Sequence, residues 1–355
     1  MASSKNMHLA SPASKKRAVW FTVLFLVVAI LGLSYIKWWP YYQKTILAAT
    51  THSIGSSILA DQVSGTFTWK GAYTYAITYF TAVWKAAVLG IVLGSLLQVL
   101  LPSKWLWKVL GKTSFGSTAA AGIASMPGMM CTCCAAPMAV GLRKKNASVG
   151  ASLAFWLGNP AINPATLVFM AFVLSWKFTL IRLVGGLLLT FGVSYLANKL
   201  VKDTDKVDVD ELVETDEESE NRPFMVRWLK SIGTMVLYVV PAYVLSVLLL
   251  GAARFWIFPN MSGAMADSLI AIIIFAIAGM LFVIPTAAEI PIIQTFLAMG
   301  LGGGPAAALL ITLPSVSLPS LLIVARSFPA RVLVFVAGSV VGLGILSGLI
   351  GWIWL

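Results

Sequence analysis

The chain has 355 residues, of which 59% are hydrophobic and only 11% charged, with a mean hydropathy of +0.89. Soluble domains carry about 25% charged residues, so the composition excludes a soluble globular protein and predicts an all-α polytopic membrane protein. The formal charge of +12 does not imply nucleic-acid binding, because the basic residues cluster at the ends of apolar runs, as membrane topology requires.

Residues 1–17 are polar and end in Lys15-Lys16-Arg17. The run Ala18–Ile36, about 19 residues, is long enough to span a bilayer. No small-residue cleavage site follows it, so an uncleaved first helix with a cytoplasmic N-terminus is expected. Lys37-Trp38-Trp39-Pro40-Tyr41-Tyr42 reads as an aromatic interfacial belt. Residues 45–71 are then expected outside the membrane, partly as a surface helix. The next span, Ala72–Leu101, contains Lys85, and Ser103–Leu110 is a basic amphipathic piece suited to the cytoplasmic face.

Thr113–Leu142 is flanked by Lys112 and by Arg143-Lys144-Lys145. With both ends cytoplasmic, the segment must enter and return. Each arm around Pro127-Gly128 has about 14 residues, roughly 21 Å of helix against a core of about 30 Å. A re-entrant hairpin is expected, its broken tip buried in protein or lining a cavity. Ala147–Trp176 is interrupted by Gly158-Asn159-Pro160-Ala161-Ile162-Asn163-Pro164, so it reads as a discontinuous helix. Phe178–Leu200 returns, with Arg182 near its start.

Ten of the thirteen acidic residues lie between Asp203 and Glu220. They form a charged cytoplasmic linker, residues 201–222, between a first membrane repeat (72–200) and a second (223–355). Residues 1–71 are set apart as an N-terminal helix and its outer connection. In the second half Phe224–Lys230 is an amphipathic approach to a span at Ile232–Gly251. Ser268–Gly300 is broken at Pro285 and Pro291, Leu301–Arg326 at Pro314 and Pro319, and Val332–Leu355 is the last span. Hydropathy gives eight to ten apolar segments, read as about seven full spans plus two hairpins.

A constant offset of 154 residues aligns the halves. Cys131-Thr132-Cys133-Cys134-Ala135-Ala136-Pro137 falls on Pro285-Thr286-Ala287-Ala288-Glu289-Ile290-Pro291, Gly150 on Gly304, Pro160 on Pro314, and Asn163 on Ser317. The preceding spans run in opposite directions, so the repeats are inverted. Of 25 Lys and Arg, five fall outside (Lys37, Lys44, Lys70, Lys177, Arg254) and two within spans (Lys85, Arg182), leaving 18 inside. Inverted repeats with broken helices meeting at the midplane are the architecture of secondary transporters.

All three cysteines stand at the first break. On a helix Cys131 and Cys134 share a face, while Cys133 points about 100° away from Cys134. An unwound tip would let all three converge. Two or three thiols suit a soft centre: trivalent arsenic or antimony, Cu(I) or Hg(II). The bland alternative is a set of small apolar residues at a helix crossing. Met126, Met129, Met130 and Met138 add thioethers or simply fill the tip. The two histidines, His8 and His52, are remote in sequence, so a closed zinc site is not expected and no cofactor is implied. Glu289 is the only carboxylate inside an apolar segment, a candidate for proton or cation coupling or a structural partner for Lys85 or Arg182. Asn159, Asn163, Ser315 and Ser317 could contact a small-molecule substrate or satisfy backbone groups freed at Pro160, Pro164 and Pro314. No Gly-x-x-x-x-Gly-Lys-Ser/Thr segment is present, so a gradient rather than ATP is the expected driving force. Nothing in the sequence specifies an oligomeric state.

The run Cys-Thr-Cys-Cys-Ala-Ala-Pro at 131–137, Gly-Leu-Arg-Lys-Lys at 141–145, Gly-Ala-Ser-Leu-Ala-Phe at 150–155 and Gly-Asn-Pro-Ala-Ile-Asn-Pro-Ala-Thr at 158–166 resembles the predicted-permease family that includes bacterial organoarsenical efflux permeases. The resemblance covers roughly residues 72–355 and implies a non-enzymatic efflux transporter of the bacterial inner membrane. Its cargo would be a trivalent organoarsenical such as methylarsenite, held by Cys131, Cys133 and Cys134. The second repeat lacks cysteines, so only one half would bind through sulfur. A Cu(I) or other soft-metal exporter and a membrane thiol oxidoreductase or redox sensor are the alternative readings.

Overall fold

The computed structural model describes residues 12–58, 69–101, 103–201, 223–257 and 268–355. The acidic linker, Asp61 and Asp267 lie outside the described residues. Every regular element among the described residues is helical. Among the described residues six helical stretches are long and apolar enough to cross a bilayer: Val19–Thr51, Trp69–Leu100, Trp176–Leu200, Phe224–Ala253, Gly303–Val324 and Ala330–Trp354.

The N-terminal helix does not stop at the aromatic belt. Helix α1 (Pro12–Leu33) passes through a widened π turn, Ser34–Trp38, into α2 (Trp39–Thr51). Pro40 sits in the first turn of α2, where its missing N–H does no harm. Lys37 is therefore not at an interface; it is buried against the hairpin tips. Residues 45–51, expected outside, continue the same helix.

Helix α3 (Trp69–Leu100) leads to the amphipathic α4 (Ser103–Leu110). Two short arms follow, α5 (Phe115–Ser125) and α6 (Thr132–Lys144), joined by a 3-10 turn at Met126–Gly128. Their bases meet on one face, where Ser148 N–H donates to the Leu110 carbonyl at 2.7 Å. The arms of 11 and 13 residues are about 16 and 20 Å long, too short to cross. Helix α7 (Val149–Ala161) runs parallel to α5, with Gly122 and Gly158 meeting at Thr190, and antiparallel to α6, with Trp156 reaching Thr132. It breaks at Ile162-Asn163 and continues as α8 (Pro164–Val173). Helix α9 (Trp176–Leu187), a π segment (Leu188–Val193) and α10 (Ser194–Ala197) return to the starting face.

In the second half α11 (Phe224–Ile257) is one continuous helix, so the expected separate approach at 224–230 is its first turns. It is followed by α12 (Leu269–Leu281), α13 (Glu289–Ala298), α14 (Gly303–Ser315), α15 (Leu318–Val324) and α16 (Ala330–Trp354). The 154-residue register survives in three dimensions. Phe115 and Leu269, Val149 and Gly303, Pro164 and Leu318, and Trp176 and Ala330 each begin a helix and are each 154 apart. Ser114 and Ser268 cap their helices in the same way, accepting from Ser117 N–H and Ala271 N–H. Helix α14 runs parallel to α12, with Gly304 beside Ile272 and Gly279 beside Thr312. This second set starts on the opposite face, where Lys177 bonds the Trp354 carbonyl. The repeats are inverted.

Lys108, Lys112, Arg143, Lys144, Lys145, Lys199, Arg227, Lys230, Arg326 and Arg331 lie at the ends of elements that meet on the first face, hereafter the basic face. Lys85 is exposed on α3 over the Trp84 ring, 5.8 Å from its centroid, and takes no part in the centre.

Candidate functional site

Both hairpin tips break for stated reasons. At the first, Pro127 and Gly128 end the helix and Met129 takes a left-handed conformation, φ 47°. At the second, 282–285 is non-helical, with Phe282 extended, and Ala287 has φ 69°. Non-glycine residues in that region carry backbone strain and persist only where packing over-determines them. Carbonyls in and beside the tips accept from side chains of other elements: Pro127 O from Trp38 Nε1 at 2.8 Å, Thr132 O from Trp156 Nε1 at 2.9 Å, and Val283 O from Tyr75 OH at 2.7 Å.

Cys131 is the N-cap residue of α6, and Cys133 and Cys134 lie in its first turn. The Cys131 and Cys134 sulfurs are 2.9 Å apart, and all three thiols are free and buried. Cys133 stays within reach of Cys131 and places its own sulfur 3.2 Å from Ser317 Oγ of the second repeat. Two sulfurs pair, and a hydroxyl engages the third. Gly90 makes this possible: α3 presses so closely on α6 that any Cβ there would strike the Cys134 carbonyl. Pro137 continues in the helix.

A cleft of about 280 Å³, its open mouth included, lies between the tips. Cys131, Thr132, Pro160, Pro285, Thr286, Glu289, Pro314 and Ser317 are among its lining residues. Glu289 opens α13 and is fully buried. Its Oε1 is 3.7 Å from Arg182 Nη2, while Oε2 has no hydrogen-bond partner among the described residues. The sequence-level alternative of a partner in Arg182 is thus realised geometrically; the alternative partner Lys85 is not. Arg182 also donates to Pro160 O at 2.7 Å, Ala161 O at 3.1 Å and Leu310 O. The Pro160 and Leu310 carbonyls lack their usual helical donors because residues 164 and 314 are prolines. One guanidinium therefore satisfies both broken helices at their crossing and faces the buried carboxylate.

The remaining predicted polar residues divide. Ser317 caps α15 in a capping box with Ser320 and also meets Cys133 and Thr132. Asn163 caps α8 through Oδ1, leaving Nδ2 unpartnered. Asn159 donates to Phe155 O and presents an unpartnered Oδ1 against Gly128. Ser315 returns its hydroxyl to the Ile311 carbonyl and only supports its own helix. Pro291 stands in the first turn of α13. Among the described residues no group of three or more His, Cys, Asp or Glu side chains is arranged to hold a metal ion.

The sequence profile of a family described as "Predicted permease" matches residues 68–352. The chain belongs to this family. The permease is 50% identical over 329 residues to UPF0718 protein YraQ of Escherichia coli strain K12, covering 93% of this chain and 94% of that protein. It is 22% identical over 260 residues to UPF0718 protein MJ0584 of Methanocaldococcus jannaschii, covering 56% of this chain and 71% of that one. No solved structure matches. Membership makes the protein a transporter, with no enzymatic activity implied.

Three residues of the permease's centre, Lys37, Tyr79 and Tyr243, escaped the sequence reading. Lys37 donates to Tyr41 OH at 3.3 Å and to Thr286 Oγ1, in the cleft wall, at 3.1 Å. It has no carboxylate partner within ion-pair distance among the described residues. Its neighbour Trp38 bonds the other tip. The signal was the i, i+4 spacing of Lys37 and Tyr41, which puts both on one face once the helix is continued through Pro40. Tyr79 and Tyr243, with hydroxyls 3.0 Å apart, join α3 to α11 within the core.

Proposed function

We propose that the permease exports trivalent organoarsenicals such as methylarsenite from the cytoplasm by alternating access. The observation that carries this reading is the buried Cys131–Cys134 pair, 2.9 Å between sulfurs, whose Cys131 lines a cleft walled by both inverted repeats. Thiols are the natural ligands of a soft trivalent centre. Methylarsenic dihydroxide exchanges its two hydroxyls for the two thiols, releasing two waters and leaving the methyl group on arsenic. Cys133 lies one residue away as a third thiol able to take over one bond, and Asn159 and Ser317 flank the path. The halves 72–200 and 223–355 rock about the cleft, and the broken helices at Pro127, Gly128, Pro160, Pro285 and Pro314 are the joints. A proton reaching Glu289 weakens its pairing with Arg182 and resets the cycle.

The basic face is assigned to the cytoplasm of a bacterial inner membrane, which also puts the N-terminus inside. The test is uptake of methylarsenite into everted vesicles with and without an imposed pH gradient, with Cu(I) as a parallel cargo. Gradient-dependent arsenical uptake lost in the Cys131→Ser/Cys134→Ser protein is expected. Uptake that survives replacement of all three cysteines overturns the thiol mechanism.

A further inference from the structure

Six buried side-chain polar atoms have no hydrogen-bond partner among the described residues: Ser152 Oγ, Asn159 Oδ1, Asn163 Nδ2, Thr166 Oγ1, Thr190 Oγ1 and Glu289 Oε2. An unsatisfied buried polar group costs about 1–3 kcal/mol, so native interiors hold few of them. Here they are not scattered. Ser152 and Asn159 are seven residues apart on α7, a spacing that keeps them within about 20° of one another around the helix, and Asn163 and Thr166 follow at the break and in the first turn of α8. Thr190 stands across from this strip, its methyl against Gly158 beside Asn159. At the strip's inner end the backbone of Pro160 and Ala161 holds Arg182, which faces Glu289.

The strip starts near the basic face. Ser152 is two residues from Gly150, whose N–H bonds Asn198 Oδ1 at 2.7 Å, close to the base of the first hairpin. It reaches the tip at Asn159, beside Gly128, about 10 Å deeper along the helix. Apolar cavities stay dry, whereas clusters of unpartnered donors and acceptors are the places where proteins hold water. The second repeat offers no such line: all its described unpartnered atoms reduce to Glu289 Oε2.

We propose that this strip is a hydrated seam giving the Glu289 carboxylate aqueous access from the basic face, along the first repeat only. The seam is independent of the cargo; its use for proton entry rests on the coupling role proposed for Glu289. Water bridging Ser152, Thr190 and Asn159 satisfies their orphaned atoms and sets an aqueous thread beside the thiols without opening the cleft.

The three native cysteines all sit at the first tip, so a protein with Cys131→Ser, Cys133→Ser and Cys134→Ser carries only the thiol then introduced. Ser152→Cys, Thr190→Cys and Asn159→Cys are placed in it, with Leu153→Cys and Ala154→Cys as equally buried controls on other faces of α7. Silver ion, comparable to water in size, is added to membranes from the basic face, and modification is read by blocked alkylation after denaturation. Seam thiols are expected to react at least about tenfold faster than the controls, because a cation enters an apolar interior only where it stays solvated. Ser152→Cys and Thr190→Cys are near-isosteric, so the comparison stands even if Asn159→Cys fails to fold. Equal rates for seam and control thiols overturn the proposal, whatever the outcome with methylarsenite.

Discussion

Lys37 donates to Thr286 across 3.1 Å, joining an N-terminal helix that precedes the permease-matched region, residues 68–352, to the tip of the second hairpin. Trp38, the next residue, holds the first tip through Pro127. The N-terminal helix thus bridges both tips and supplies the centre with a buried cation that neither repeat contains.

Lys37→Met removes that cation and leaves the Thr286 and Tyr41 hydroxyls without their donor. A hydrogen bond from a charged group contributes about 1.5–3 kcal/mol. Initial transport rates per unit of membrane-inserted protein are expected to fall about tenfold. Unchanged rates in everted vesicles would remove Lys37 from the working site.

Arg182→Met should be the most destabilising change at the centre. It strips donors from Pro160, Ala161 and Leu310 and leaves Glu289 buried without a cation. Breaking a buried pair in this way costs about 3–5 kcal/mol. Glu289→Gln is expected to be milder, because three carbonyls still hold the guanidinium. Thermal unfolding in detergent ranks the two, and the reverse order would contradict the bracing role of Arg182.

The thiols should not be equivalent. Cys131→Ser and Cys134→Ser each break the sulfur pair, whereas Cys133→Ser keeps a hydroxyl facing Ser317. Loss of methylarsenite transport is expected for the first two, with a several-fold smaller effect for the third. A kinetic series on the three single variants checks this, and equal defects would point to three-thiol capture.

Glycine substitutions separate packing from propensity. Gly90→Ala drives a methyl into the Cys134 carbonyl, and Gly94→Ala brings one within 2.8 Å of the Pro137 backbone. Both are expected to destabilise by about 1–3 kcal/mol, as overpacked cores do. Gly338→Ala on α16 meets nothing within 4 Å and should gain up to about 1 kcal/mol of helix propensity. Melting temperatures of the three proteins give the comparison.

Much of the scaffold was legible because proline, glycine and charge act locally. Pro127-Gly128 and the two Asn-Pro pairs mark where backbone hydrogen bonding fails, and lysine and arginine mark the face. The offset of 154 read from breakers alone proved to be the spacing of four helix starts. What stayed hidden depends on distance in the chain. Arg182 and Glu289 are 107 positions apart, and no local pattern says which freed carbonyls a guanidinium will reach. Lys37 misled for a different reason: a cation and aromatics after 19 apolar residues have the composition of a membrane interface, and only tertiary contact with the tips carries the helix onward.

The register also says where the two halves stopped being copies. Helix α6 begins at Thr132, but its counterpart begins at Glu289, three positions after Thr286, while four other starts hold to 154. In the proposed alternating-access cycle, duplicated halves that trade shapes would make the inward-open and outward-open forms nearly degenerate in energy. The resting bias would then be set by the few residues that broke the symmetry: three thiols on one tip, and a threonine and a carboxylate tethered to two cations on the other.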